Sequence, residues 1–150
     1  MRLTEFLPSF VRRNQVYQGL ARGHSAKSLA VQMSGASPLN VIIGSGEVAI
    51  PGWFETDLAV LDITDASDWR RLFKPGSIDR LLAEHVFEHL SLDETEVALK
   101  LCHLHLKKGG LLRVAVPDGN RRDADYVAEV TPPKDGHKVL FTLESLREIV

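Results

Sequence analysis

Leu39-Asn40-Val41-Ile42-Ile43-Gly44-Ser45-Gly46 is the stretch on which the fold turns. Apart from one asparagine its first five residues are apolar, and Val41, Ile42 and Ile43 are β-branched, the pattern of a short buried strand. Two glycines around a serine follow at once and mark a tight turn. Glycine there also removes the side chain that would keep a nucleotide ligand from the backbone. An ordinary strand-ending turn reads the same way, and a lone Gly-x-Gly is weak. It gains weight because a strand precedes it and acidic strand ends follow.

Working outward, Trp53 to Asp57 is a second strand candidate and Ala59 to Ile63 a third. Asp65 to Phe73 reads as a short helix with Trp69, Leu72 and Phe73 on its apolar side, and Pro75-Gly76 turns the chain into a strand over Ile78 to Ala83. Ser91 to Lys108 is the clearest helix. Ser91 and Glu94 form a capping box; Val97, Leu101 and Leu104 mark its buried stripe. Lys107 and Lys108 suit its negative end, and Gly109 its left-handed stop. Leu111 to Val116 is a strong strand ended by Pro117. A helix covers Ala124 to Val130, Pro132-Pro133 ends it, and Thr142 opens a last helix. Strands alternating with helices predict an α/β fold, a Rossmann-like, mostly parallel sheet with helices on both faces. Ligands in such sheets sit beyond the carboxyl ends of the strands. Gly44 to Gly46, Asp57, Asp62, Glu84, His85, Pro117 and Asp118 are therefore the functional candidates.

Upstream, residues 1–37 carry Arg2, Arg12, Arg13, Arg22 and Lys27 against Glu5 alone. Phe6, Leu7, Phe10 and Val11 lie on one helical face, as do Leu29, Ala30 and Met33. Two short helices broken near Gly23 are expected, packing on the core as an extension to a domain over 38–150. The 150 residues suit one domain; 44% are hydrophobic and 25% charged, which excludes disorder. A net charge of −2 gives no field that favours nucleic acid. A single cysteine, Cys102, builds neither an intramolecular disulfide nor a thiolate zinc site. No apolar run approaches the roughly 20 residues of a membrane span, and no signal core stands at the N-terminus. A cytoplasmic protein is expected.

Two aspartates and one histidine-rich stretch carry the chemistry. A carboxylate at the end of the second strand, Asp57, can accept both hydroxyls of a ribose. Asp62-Ile63 can flank an adenine, although Asp62, Thr64 and Asp65 compete to cap one helix. Glu84-His85-Val86-Phe87-Glu88-His89 contains H-x-x-E-H, a zinc-protease pattern. That motif belongs inside a long helix, whereas a strand leads directly into this one. Glu84 and His85 read instead as strand-end residues facing a ligand, and His89 as a structural one. His103 and His105, two apart on a helix, share no face. No metal site is expected.

Taken in order, these pieces resemble the small class I S-adenosylmethionine-dependent methyltransferases. The resemblance runs through Asn40 to Gly46, Pro51-Gly52-Trp53, Thr56-Asp57, Ser77-Ile78-Asp79, Ala83 to Leu90, Leu106 to Gly110 and Val116-Pro117-Asp118. It continues in Gly136-His137-Lys138 and Phe141 to Leu146, covering about two thirds of the chain. It implies S-adenosylmethionine as cofactor. Gly44, Ser45 and Gly46 would line its methionine part, Asp57 would hold the ribose, Asp62 and Ile63 would flank the adenine, and Glu84 and His85 would sit beside the sulfonium. His85 and His137 are the candidates to take a proton from the acceptor. That acceptor is expected to be a small metabolite or saccharide, because no basic, aromatic-interleaved patch points to nucleic acid.

The chain departs from the family in three places. Glu47-Val48-Ala49 stands where a third glycine is usual. Pro51-Gly52 leaves room for about one helical turn in the first crossover. The sequence ends in a helix, before the hairpin that completes such sheets, so an incomplete domain is expected. Two rival functions follow. Gly44 to Ala49 also matches the dinucleotide pattern of NAD-binding oxidoreductases, which needs a helix right after the glycines. A non-catalytic, cofactor-binding module is the other.

Overall fold

Val41, Ile42 and Ile43 stand in the middle of a four-stranded sheet in the computed structural model, which describes residues 29, 31–46 and 48–149. In chain order the elements are β1 (Asn40–Ile43), β2 (Phe54–Glu55), α1 (Ala66–Leu72), β3 (Ile78–Glu84), a 3₁₀ turn (Phe87–His89), α2 (Leu92–His105), β4 (Leu106–Ala115), α3 (Ala124–Val130), a second 3₁₀ turn (Lys134–Gly136) and α4 (Leu143–Ile149). The spatial order is β2-β1-β3-β4 and every pair is parallel. This is the expected α/β, Rossmann-like sheet. The helices expected before Leu29 lie outside the described residues, as do Ala30 and Glu47. Leu29 and Met33 pack against the core.

Register explains the core. Val41 pairs with Leu81 and Ile43 with Ala83, and these pair in turn with Leu112 and Val114. Partners across a parallel ladder share a face, and alternate residues point to opposite faces. The shared face packs on Trp69, Phe73, Phe87, Ala98 and Cys102. All four residues of β1 are buried, so its sequence shows no polar alternation.

The second strand is shorter than expected and the third candidate is not a strand. Thr56 donates to the Ile42 carbonyl through both its backbone N–H (2.8 Å) and its hydroxyl (2.7 Å), which closes β2 against β1. The N–H groups of Val60 and Leu61 then bond to the Asp57 carbonyl at 2.7 and 2.9 Å. This turn uses the donors that a strand over Ala59 to Ile63 would need. Leu61 and Ile63 are buried all the same.

The helix after β3 is corrected at its end and in its register. Its capping box is complete: Ser91 Oγ accepts from the Glu94 N–H, and Glu94 Oε2 from the Ser91 N–H. It stops at His105, because Gly76 and Ser77 donate to the carbonyls of Leu104 and His105 and Leu106 already pairs with Ile78. Lys107, Lys108 and Gly109 therefore open β4 instead of closing a helix. The buried face is Thr95, Ala98, Cys102 and His105, while Val97 and Leu104 are 43% and 53% exposed. Small residues face inward because the bulk comes from α1: Trp69 is fully buried, stacks on His105 at 4.8 Å and donates to the Ile63 carbonyl. Burial pushes the Cys102 thiol up to about 12, so it is inert.

Candidate functional site

The rim of the sheet at the end of β1 is made of backbone. Gly44 and Gly46 have φ of 63° and 56°, a conformation that L-residues with a Cβ rarely adopt. A Cβ on Gly44 would stand 2.6 Å from Val86 Cγ2, whereas one on Gly46 would meet nothing within 4 Å. Between them, the Ser45 N–H donates to the Thr56 carbonyl at 2.9 Å and ties this loop to the end of β2. No helix stands between the glycines and β2 among the described residues.

Two cavities meet at Ile43 and Gly44. The smaller, about 230 Å³, is walled by Ser45, Val48, Leu82, Glu84 and His85. The larger, about 400 Å³, is walled by Leu58, Leu61, Asp62, Ile63, Val86 and His89, with Glu94 and Lys138 also on its wall. The rim thus gathers Gly44, Ser45, Glu84 and His85 around one cavity and Asp62 and Ile63 around the other. Gly46 and Asp57 line neither.

Each carboxylate has a partner. Asp57 Oδ1 accepts from the Leu58 N–H at 2.6 Å. Asp62 Oδ1 accepts from the Thr64 N–H (2.9 Å) and the Thr64 hydroxyl (2.7 Å). The competition to cap α1 is won by Asp65, which accepts from the Ser67 N–H. Glu84 is ion-paired with Arg113 of β4, a partner that nothing in the sequence signalled. Asp118 caps its own turn by accepting from the Asn120 N–H at 2.9 Å.

Beyond β3 the chain turns on His85, a non-glycine residue at φ 56°. Such a conformation is sparsely populated and persists only when its surroundings hold it. Here His85 Nδ1 donates to Glu88 Oε1 at 3.1 Å. Glu88 is 1% exposed, and its Oε2 has no hydrogen-bond partner among the described residues. The Glu88 carbonyl accepts from the N–H groups of Lys138 and Val139 at 2.7 and 3.2 Å, which brings the segment after the second 3₁₀ turn onto this corner. The His137 ring lies edge-on to His89 with centroids 5.0 Å apart. Burial holds the His89 imidazole below its ordinary value against the opposing pull of Glu88.

His85 and His137, 52 positions apart in the sequence, thus both approach Glu88, a residue the sequence analysis did not single out. The available signal was the repeat of Glu-His at 84–85 and 88–89. H-x-x-E-H does not lie on a long helix here, since its last three residues form the 3₁₀ turn. His103 is exposed on α2 while His105 is buried. On the wall of the larger cavity, Lys138 Nζ bonds to Glu94 Oε2 at 2.7 Å, which holds that carboxyl below its ordinary value.

No protein-family model and no curated protein matches the chain. Among solved structures it is similar to an S-adenosylmethionine-dependent methyltransferase from Thermotoga maritima, with a TM-score of 0.53 and 20% identity over 93% of this chain and 73% of that one. It is also similar to the CurJ carbon methyltransferase, with a TM-score of 0.50 and 11% identity over 93% of this chain and 49% of that one. At such identities the likeness is one of fold. The fold is that of the class I S-adenosylmethionine-dependent methyltransferases.

Proposed function

We propose that the chain binds S-adenosylmethionine across the ends of β1, β2 and β3 and transfers its methyl group to a small-molecule acceptor, a metabolite or a saccharide. The observation that carries this reading is the pair of cavities meeting at left-handed Gly44, directly after the central strand. A ligand with an adenosyl end and an amino-acid end needs two such compartments. Leu58, Leu61 and Ile63 give the larger one apolar walls suited to a flat base, with Asp62 at its edge. Ser45, Glu84 and His85 give the smaller one polar groups for an amino acid. Asp57, just past β2, is the carboxylate for the ribose.

When bound, the cofactor supplies a methyl group on a sulfonium, already a good leaving group. The chain's own task is to position the reactants. The Glu84 carboxylate favours positive charge in the smaller cavity. His85 is the group for a proton on the acceptor: donation from Nδ1 to Glu88 leaves the lone pair on Nε2. His137 is the second candidate for that role. The dinucleotide reading loses ground, because Pro51-Gly52 forms a turn and, among the described residues, no helix stands between the glycines and β2 to offer its N-terminus to a pyrophosphate. No helix among the described residues is long and apolar enough to cross a membrane. With its one thiol buried and inert, the protein suits a reducing compartment such as the cytoplasm.

Transfer of a labelled methyl group into pools of small metabolites and saccharides tests the activity. Label in one acceptor class is expected. Cofactor binding without transfer to any pool would instead identify a non-catalytic module.

A further inference from the structure

The buried, unpaired oxygen of Glu88 asks for a cation. A carboxylate removed from water costs several kcal/mol unless it is paired. His85 takes up only Oε1, at 3.1 Å, and Oε2 is left inside without a hydrogen bond among the described residues. Two further imidazoles stand close to this carboxylate. One ligand atom each from Glu88, His89 and His137 lie within 4.8 Å of one another.

The rings are set for ligation. His89 Nδ1 faces the Gly136 carbonyl at 3.3 Å and His137 Nδ1 the Val130 carbonyl at 2.7 Å. A carbonyl can only accept, so each Nδ1 carries the proton and each neutral ring has its lone pair on Nε2. This is the arrangement by which metal-binding histidines are fixed: the far nitrogen donates to a backbone carbonyl and the near one faces the ion. The backbone is fixed as well, since Lys138 and Val139 both donate to the Glu88 carbonyl. The two arms of the cluster, 49 residues apart between Glu88 and His137, are thereby held together without an ion.

We infer that Glu88, His89 and His137 form a site for a divalent transition cation of the zinc class. Two imidazoles and one carboxylate match the ligand preference of zinc, and three protein ligands leave a fourth position for water or an electron-rich ligand group. Zinc holds such ligands at about 2.0–2.2 Å, so tetrahedral neighbours sit about 3.4 Å apart. A trio within 4.8 Å reaches that spacing by small side-chain rotations. The site borders the larger cavity, because His89 is part of its wall. The ligand set is not the H-x-x-E-H pair: His85 stays on the other carboxylate oxygen, and His137 takes its place.

The full chain, stripped with a chelator and dialysed, would be titrated with Zn²⁺ in a calorimeter. One ion per chain is expected, with affinity reduced at least about 100-fold in both Glu88→Gln and His137→Ala and unchanged in His103→Ala. On the parent chain, whose folding is not in question, zinc should shift the Nε2 resonances of His89 and His137 in ¹⁵N spectra and leave His103 in place. Absence of stoichiometric binding, unmoved His89 and His137 resonances, or undiminished affinity in both variants would overturn the site. None of these readouts depends on methyl transfer.

Discussion

Two neighbouring strands lead into left-handed residues, and they reach that conformation by opposite means. β1 runs straight into Gly44, φ 63°, where no Cβ resists the turn. β3, beside it, runs into His85, φ 56°, where the Cβ does. The first turn is made of backbone and leaves open space beside Gly46. The second is held by a side-chain bond, His85 on Glu88, and by the backbone bonds of Lys138 and Val139 to the Glu88 carbonyl. One end of the sheet is thus a surface against which a ligand can lie. The other is a polar cluster assembled before any ligand arrives.

Replacing the glycines tests the first half of the contrast. Gly44→Ala adds left-handed strain of about 1–2 kcal/mol to overpacking against Val86 of about 1–3 kcal/mol, so unfolding in urea should show a loss of about 2–5 kcal/mol. Gly46→Ala meets no neighbour within 4 Å and should cost only the strain, about 1–2 kcal/mol. Equal losses would mean that both glycines serve the same purpose.

His85→Gly tests the second half. Relief of strain, about 1–2 kcal/mol, offsets the lost bond to a charged partner, about 1.5–3 kcal/mol. Stability should then change by about 1 kcal/mol, while the methyl-transfer rate falls by about 10²-fold if the ring accepts the proton. Full activity in this variant would restrict His85 to ordering the corner.

The smallest effect is electrostatic. Glu94 is held below its ordinary value of 4.5, first by its bond from Lys138 and next by the Ser91 N–H. A carboxyl with a lowered folded pKa contributes stability that is complete above pH 4.5 and is lost as pH falls through the folded value. Lys138→Ala should therefore make the acid limb of the stability profile shallower below pH 4.5 and change little at neutral pH, since exposed pairs are worth about 0–1 kcal/mol. An unchanged acid limb would show that Lys138 does not anchor this segment.

The sequence made the sheet legible where the signals are local. The run from Asn40 to Ile43, the capping box at Ser91 and Glu94, and the helix at Ala124–Val130 all stand where their residues place them. What it hid depends on tertiary context. Val97 and Leu104 have the spacing of a buried stripe, but Trp69 fills the space beside α2 and leaves room for Ala98 and Cys102 instead. Ala59 to Ile63 is apolar enough for a strand, yet the Asp57 carbonyl claims its donors. At the rim, Gly44, Ser45, Glu84 and His85 drew notice from their positions after strands, and the structure places them along one cavity. Glu88 and Arg113 were not, because their partners come from distant parts of the chain.

The most direct test of the cofactor site proposed at the end of β1 is a calorimetric titration of the full chain with S-adenosylhomocysteine, alongside Asp57→Ala and a parallel titration with NAD. The account predicts micromolar binding by the parent, marked weakening in the variant at unchanged fold, and no heat from NAD. No binding of S-adenosylhomocysteine, or tighter binding of NAD, would contradict it.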